Sequence, residues 1–438
     1  MYDAAIAGAA PGPVTAAALR DFQARPGQRL WLYALGKAAH PMAAAAAATL
    51  QRSLLTIAGG VIVSPEPMTS PYATVVALTG DHPLPGRHSF TAAQRIGDTA
   101  AGMRSDDVAI VLLSGGVTSL IAAPLRGMAE SDLGQLFELL LGSGLDIRKM
   151  NAVRKRFTRW GAGRMALSLA PARTHVYVMS DVLGDDPGDI GSGPCAPDPW
   201  TVKQVVELLT QSHLLPRIAP AMRDYLTGVS RGLIPETPKP PHPAFAHVST
   251  RVIGSNRLAL DAVSAHAQQI SLDIESIPTP LQGDAATSGA QIAETLLQRA
   301  QQGRTGCVVW GGETTVQLHA APPAGKGAHA LASAEAPPSG GRCQELALAA
   351  ARRLSQNGDA GRRITILAAG TDGRDGTTDA AGAFADSTIW EQIRRGGRDP
   401  DVALQRHESH SVLGAVGALL PRRFTGTNVM DVVIGLIE

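Results

Sequence analysis

ITILAAGTDGRDGTTDAAGAFAD, residues 364–386, is the stretch from which the rest of the chain is best read. Ile364–Ala369 is a short apolar run of the kind a buried parallel strand shows. It ends in Gly370-Thr371-Asp372-Gly373-Arg374-Asp375-Gly376, with Asp379 close behind. Glycines let the backbone turn sharply. The carboxylates of Asp372 and Asp375 are therefore expected to project from the strand's C-terminal end, where open α/β sheets bind ligands. The plainer reading of a DGxDG is an acidic surface turn. A calcium loop is excluded, because the spacing is not D-x-D-x-D-G and the twelfth position, Ala383, is not Glu.

The functional reading gains weight because other strand ends repeat the design. Leu30–Leu35 (LWLYAL) runs into Gly36-Lys37 and then an alanine-rich helical segment, which puts Lys37 beside the positive end of a helix. Thr74–Thr79 leads into Gly80-Asp81-His82-Pro83-Leu84-Pro85-Gly86, where His82 either faces a ligand or belongs to the turn. Val108–Leu113 (VAIVLL) leads into Ser114-Gly115-Gly116-Val117-Thr118-Ser119, small residues whose backbone N–H groups can form an anion nest. His175–Met179 leads into Ser180-Asp181 and an acidic, glycine-rich loop that ends Ser192-Gly193-Pro194. Carboxylates for a metal and amides for phosphate suit a magnesium–nucleotide site. Between these loops, Lys149–Ala166 is locally basic and is expected to form a helix with one basic face, of which a merely solvated face is the plainer reading.

In 438 residues, 39 Lys+Arg against 38 Asp+Glu leave a formal charge of +1, so no general attraction to nucleic acid or anionic membrane is expected. Anion binding must be local. Cys195, Cys307 and Cys343 form no CxxC pair, which fits a reducing compartment. No apolar run approaches the ~20 residues that span a bilayer. The N-terminus lacks a basic n-region. The expectation is a cytoplasmic protein, monomer or homodimer, with a small-molecule partner. PETPKPPHP, at Pro235–Pro243, marks the clearest linker and places a domain boundary between residues 235 and 236, giving domains 1–235 and 236–438. The second half restarts the alternation at Gly254-Ser255-Asn256, Gly311-Gly312-Glu313 and Gly341-Arg342. A low-complexity insertion, Ala320–Gly341, precedes the last of these.

Apolar runs that end in Gly/Ser/Asp/Lys turns and lead into helices point to two α/β, Rossmann-like domains with mostly parallel sheets, facing across a cleft. Phosphoryl transfer needs the parts on show: positive charge from Lys37 and Arg342, N–H donors, and carboxylates such as Asp181, Asp372 and Asp375 for Mg²⁺. The P-loop, G-x-G-x-x-G, HExxH and GxSxG signatures are absent.

The ordered set of motifs resembles the class II glycerate 2-kinases, built from an N-terminal glycerate-kinase domain and a C-terminal MOFRL domain. The likeness rests on Gly36-Lys37-Ala38-Ala39, His82-Pro83-Leu84-Pro85, Leu113-Ser114-Gly115-Gly116, Asn151-Ala152-Val153-Arg154-Lys155, Ser180-Asp181-Val182 and Ser192-Gly193-Pro194. It continues through Gly254-Ser255-Asn256, Gly311-Gly312-Glu313-Thr314-Thr315, Gly341-Arg342 with Gln344-Glu345-Leu346, Thr371-Asp372-Gly373 with Asp375-Gly376, and Thr425-Gly426-Thr427-Asn428. The resemblance implies an ATP- and Mg²⁺-dependent kinase acting on the 2-hydroxyl of D-glycerate, with Lys37, Arg342 and Asp372 in its site. Within it, Arg342 with Arg154 is expected to hold the substrate carboxylate, with Ser114 nearby. Lys37 would stabilise the transferred phosphoryl group, Asp372 would take the hydroxyl proton, and Asp181 and Asp375 would anchor Mg²⁺. Gly115, Gly116, Ser119, Ser192, Gly193, Asn256 and Glu313 are expected on the nucleotide side. The aspartate roles are interchangeable at this stage. Cys343, Val117 and Gly161-Ala162-Gly163 depart from the family pattern. An NAD(P)H-dependent hydroxypyruvate reductase and a non-catalytic sensor of phosphorylated acids are the competing readings.

Overall fold

The computed structural model describes residues 1–25, 27–52, 55, 57–316 and 340–438. The insertion read at 320–341 therefore lies outside the described residues, except for Gly340 and Gly341. The chain forms two compact units, Ala10–Ser255, and Met1–Ala9 together with Asn256–Glu438. The proline-rich stretch is tied into the first of them: Thr237 donates to Asp198 at 2.8 Å, and the Asp198 N–H donates to the Pro238 carbonyl at 3.0 Å.

The first unit is built on a six-stranded sheet of β1 (Leu30–Leu35), β2 (Ile57–Ser64), β3 (Val75–Thr79), β4 (Val108–Leu113), β5 (Arg173–Met179) and β6 (Val248–Gly254). Its order is β3-β2-β1-β4-β5-β6 and every pairing is parallel. β1 and β4 are buried along their whole length, which is why both read as unbroken apolar runs. The chain winds outward from β1 to β3, then returns to start again beside β1. That reversal opens a crevice at the C-terminal ends of β1 and β4.

The second unit has β7 (Ile274–Ser276), β8 (Gly306–Gly312), β9 (Ile364–Gly370), β10 (Ala380–Ala385), β11 (Leu419–Pro421) and β12 (Asp431–Ile437), ordered β11-β10-β9-β12-β8-β7. Only the β7–β8 pair is parallel. The expectation of a mostly parallel sheet thus holds for the first unit and is corrected for the second. Two pieces cause the difference. β10 folds back on β9 directly after the acidic turn, and β12 enters antiparallel between β8 and β9. Asp431 consequently lies opposite both Gly312 and Gly370, the last residues of β8 and β9. The long helix Arg342–Ser355 packs its buried Leu346, Ala347, Ala350 and Leu354 on this sheet and on helix Ala285–Gln301.

The basic segment departs from its expected form. It is two helices, Ile147–Phe157 and Arg164–Leu169, with Lys149 exposed, Arg159 and Arg164 half-buried, and Arg154, Lys155 and Arg156 inside the protein. Lys155 and Arg156 are 1% and 0% exposed. Their counter-charges come from Asp198 and Glu236. Lys155 Nζ lies 3.7 Å and Arg156 Nη2 3.4 Å from the Asp198 carboxylate, and Arg156 also pairs with Glu236. The plainer reading, a solvated face, does not hold for Lys155 and Arg156, because their neutralising acids are supplied by distant chain. No helix among the described residues is long and apolar enough to cross a membrane.

Candidate active site

In the parallel-sheet unit the polar loops meet at the reversal between β1 and β4. Lys37 follows β1. Its N–H donates to the Gly115 carbonyl at 2.9 Å, and the next N–H, of Ala38, donates to Ser114 Oγ at 3.0 Å. Ser114 is thereby a buried clamp between the two strand ends. The Lys37 side chain is exposed, and among the described residues its ammonium makes no hydrogen bond or ion pair. It arches over Gly116, where a Cβ would lie 3.2 Å from Lys37 Cγ and 3.3 Å from His82 Cδ2. Gly116 also adopts φ = 87°, a backbone state that suits glycine. At Gly115 a Cβ would overlap the Asp181 carboxylate. Glycine at 115 is what lets backbone N–H groups and an acid share one spot.

Burial raises the Asp181 pKa, while the Lys37 cation pulls it the other way. Burial and then the same cation push His82 down to about 4, so its imidazole is neutral at physiological pH. The His82 ring stands beside Gly116, where a Cβ would lie 3.3 Å from its Cδ2. Its loop is held by Ser119, whose hydroxyl donates to the Pro83 carbonyl at 2.6 Å. Ser119 is in this sense a support. Ser192 is likewise buried and shares a 2.9 Å hydrogen bond with Thr118, while the Gly193 carbonyl accepts from the Gly163 N–H at 2.8 Å. Val117, where a glycine was expected, is fully buried and packs against Gly191.

Arg154 stands apart from its ion-paired neighbours. Its guanidinium lies 4.7 Å from the Phe137 ring centroid and its buried Nε has no hydrogen-bond partner. Burial lowers its pKa. Asn151, one turn earlier on the same helix face, is also buried.

In the mixed-sheet unit Arg342 opens its helix beside Asp431. The pair is bidentate, with Nε–Oδ2 at 2.5 Å and Nη2–Oδ1 at 2.8 Å, and Nη1 reaches Glu313 at 2.8 Å. Burial opposes the charge on Arg342, but the Asp431 hydrogen bonds outweigh it and raise the pKa. Asp372 sits in the turn after β9, half-buried, its Oδ1 accepting from the Arg374 N–H at 3.0 Å. Asn256 donates from its amide to the Val429 and Asp431 carbonyls at 2.8 and 2.9 Å, pinning the entry to β12.

Asp375, expected as a metal ligand, has its carboxylate engaged by the start of the helix Arg342–Ser355. It is 2% exposed, and its two oxygens accept from the Cys343 N–H at 3.1 Å, the Gln344 N–H at 2.8 Å and the Gln344 side chain at 2.9 Å. It caps the helix Arg342–Ser355, where negative charge is favoured. Burial, then Asp431, raise its pKa to about 6 against the pull of those N–H groups. With a folded pKa above the unfolded 3.8, the native state holds the proton more tightly, so this group's contribution falls as pH rises from about 4 to about 6. Asp375→Asn is expected to remove that fall. Urea midpoints at pH 4.5 and pH 7 for the two proteins check it, and parallel pH trends refute it.

Among the described residues no group of three or more His, Cys, Asp or Glu could hold a metal ion. Asp181 fits one all the same. Mg²⁺ takes one or two carboxylates with waters and substrate phosphates, not a full protein cage. Asp431, the partner of Arg342, escaped sequence reasoning. It stands inside the apolar run Val429–Ile437, where an acid requires a partner, and that was the available signal. Gln344 entered only as part of the motif that carries the resemblance.

Comparison with known proteins follows the same division. Residues 1–227 match the family model described as Domain of unknown function (DUF4147), and residues 306–431 match the MOFRL family. The chain is 32% identical to D-glycerate 2-kinase of Thermotoga maritima over 93% of its own length and 91% of that protein's. It is 31% identical to glycerate 2-kinase of Pyrococcus horikoshii over 93% and 87%. The chain belongs to the glycerate kinase family. A crystal structure of glycerate kinase from Thermotoga maritima superposes with TM-score 0.84 at 30% identity, covering 100% of this chain and 97% of that one. In this family's terms, the parallel sheet is the body of the DUF4147 segment and most of the mixed sheet lies in the MOFRL segment.

Proposed function

We propose that the chain transfers the γ-phosphoryl group of ATP to the 2-hydroxyl of D-glycerate, giving 2-phospho-D-glycerate and ADP. The observation that carries this is the Lys37 ammonium, exposed over Gly116 beside Asp181, at the point where the strand order reverses. An uncommitted cation next to glycine amides suits the spread negative charge of a phosphoryl group in flight. Mg²⁺, arriving with the nucleotide, would be held by Asp181 and would neutralise charge on the β- and γ-phosphates. Gly115 and Gly116 supply backbone N–H donors to phosphate, and neutral His82 supplies a further hydrogen bond.

The substrate carboxylate goes first to Arg154. Arg342 already faces two carboxylates, Asp431 and Glu313, whereas Arg154 is a buried cation with no ion pair among the described residues. Arg342 keeps its place in the site as the group that holds the end of β12. Asp372 takes the proton from the acceptor hydroxyl as the new P–O bond forms and the bond to the ADP oxygen breaks.

Arg154→Met is expected to raise KM for glycerate between about 10- and 100-fold, the worth of one charged hydrogen-bonding group, with KM for ATP unchanged. Methionine keeps an apolar stem over Phe137, so stability should hold or rise. A large drop in unfolding midpoint with an unaltered glycerate KM would make Arg154 structural. For the reaction itself, ADP release and phosphorus NMR of the product with D-glycerate and ATP are the test. NADH oxidation with hydroxypyruvate in place of ADP release would overturn it. The structure gives the reductase reading no hold, since the turn after β1 is Gly36-Lys37-Ala38-Ala39, without the glycine triplet that a dinucleotide pyrophosphate needs.

A further inference from the structure

Met1–Ala9 belongs to the mixed-sheet unit, far along the chain from what it touches. Tyr2 is buried, and its phenol donates to the Gly370 carbonyl at 2.5 Å. Gly370 ends β9 and leads directly into Thr371 and Asp372. The Tyr2 ring lies beneath the Arg423 guanidinium, 4.9 Å from the centroid, and Arg423 also pairs with Asp3.

The Arg423 backbone holds the other end of the same turn. Its N–H donates to the Gly373 carbonyl at 3.2 Å, and its own carbonyl sits so close to Gly373 that a Cβ there would overlap it. Between the two ends, Thr425 Oγ1 donates to the Thr371 carbonyl at 2.7 Å and the Thr371 N–H donates to Met430 at 3.0 Å. Residues 370–373 are thus clasped at both ends by separate pieces of chain, and the Tyr2–Arg423 contact joins the two pieces. Thr427 Oγ1 fixes the far end of the N-terminal helix through Ala9, at 2.7 Å.

We propose that Tyr2 is a positioning residue for Asp372. Its phenol fixes Gly370, and its ring steadies the segment that fixes Gly373, so the N-terminal helix sets the aim of the carboxylate between them. Burial raises the Tyr2 pKa against the pull of Arg423, which keeps the phenol a donor throughout the working pH range. The inference rests on the reading of Asp372 as the group that meets the acceptor hydroxyl.

Steady-state kinetics and thermal unfolding of Tyr2→Phe, Asp372→Asn and the double variant test it. Phenylalanine keeps the packing under Arg423 and removes only the hydrogen bond. The expected result is a kcat lowered about tenfold, because a small misplacement of a reacting group is costly, with both KM values held. The double variant should turn over no more slowly than Asp372→Asn alone, since Tyr2 acts only through what it aims. Thr427→Val loosens only the far end of the same helix and leaves the bond to Gly370, so it should lower kcat less than Tyr2→Phe does. A wild-type kcat in Tyr2→Phe, a loss that multiplies fully with that of Asp372→Asn, or an equal loss in Thr427→Val overturns the proposal. Wild-type turnover in Asp372→Asn is a separate failure, of the catalytic reading itself.

Discussion

Lys37→Ala is expected to lower kcat about a hundredfold or more while the unfolding midpoint stays where it is. The two halves of that result have different causes. The turnover loss follows from removing an exposed cation at the β1–β4 reversal whose ammonium makes no hydrogen bond or ion pair among the described residues. The unchanged stability follows from the same fact, since an exposed ammonium without a bond in the ground state contributes little to folding. Lys37→Arg should restore only part of the rate. The ammonium is a compact point charge, and a planar guanidinium placed over Gly116 meets the His82 ring. The measurement is ADP release with D-glycerate at saturating ATP, beside a thermal scan. Near-normal turnover in Lys37→Ala would remove the phosphoryl role from this residue. A collapsed midpoint would move it into the scaffold.

Local pattern made the parallel half of the fold readable. Leu30–Leu35 and Val108–Leu113 are buried on both faces, so they could be nothing but apolar, and each ends in a glycine turn that exposes its strand end. The mixed sheet was harder. β10 is Ala-Ala-Gly-Ala-Phe-Ala, small residues around a single aromatic, Phe384, without the β-branched side chains that announce a strand. The direction of β12 is set by its two neighbours, and no residue within Asp431–Ile437 encodes it.

The strand-end positions of Lys37, Asp181 and Asp372 were legible, because each follows an apolar run directly. The partners of other residues were not, because they come from distant chain. Asp375 looks like a ligand in isolation and is the cap of a helix that begins 33 residues earlier, at Arg342. Ser119 and Ser192 look like phosphate donors and instead spend their hydroxyls on neighbouring loops. The Lys155-Arg156 pair shows the same limit, because nothing near it in sequence reveals that Asp198 and Glu236 return to enclose it.

That buried cluster sets the largest stability effect expected anywhere in the molecule. Asp198 is 0% exposed and faces Lys155, Arg156 and Lys239, with hydrogen bonds from Thr237 at 2.8 Å and the Trp200 N–H at 3.2 Å. Asp198→Ala leaves two fully buried cations, Arg156 still paired with Glu236 and Lys155 without its ion pair, and stranding buried charge costs about 3–5 kcal/mol. Asp198→Asn keeps the hydrogen-bonding shape without the charge and should fall between. Glu236→Gln should cost less, because that side chain is 29% exposed and water can share the load. The loss belongs to one unit, so a single midpoint would blur it. Hydrogen exchange read by peptide resolves it: protection should fall across Ala10–Ser255 and persist across Asn256–Glu438. A cost below about 1 kcal/mol, the range of an exposed pair, would mean that water reaches Lys155 and Arg156 after all, and that these cations are held by hydration more than by Asp198.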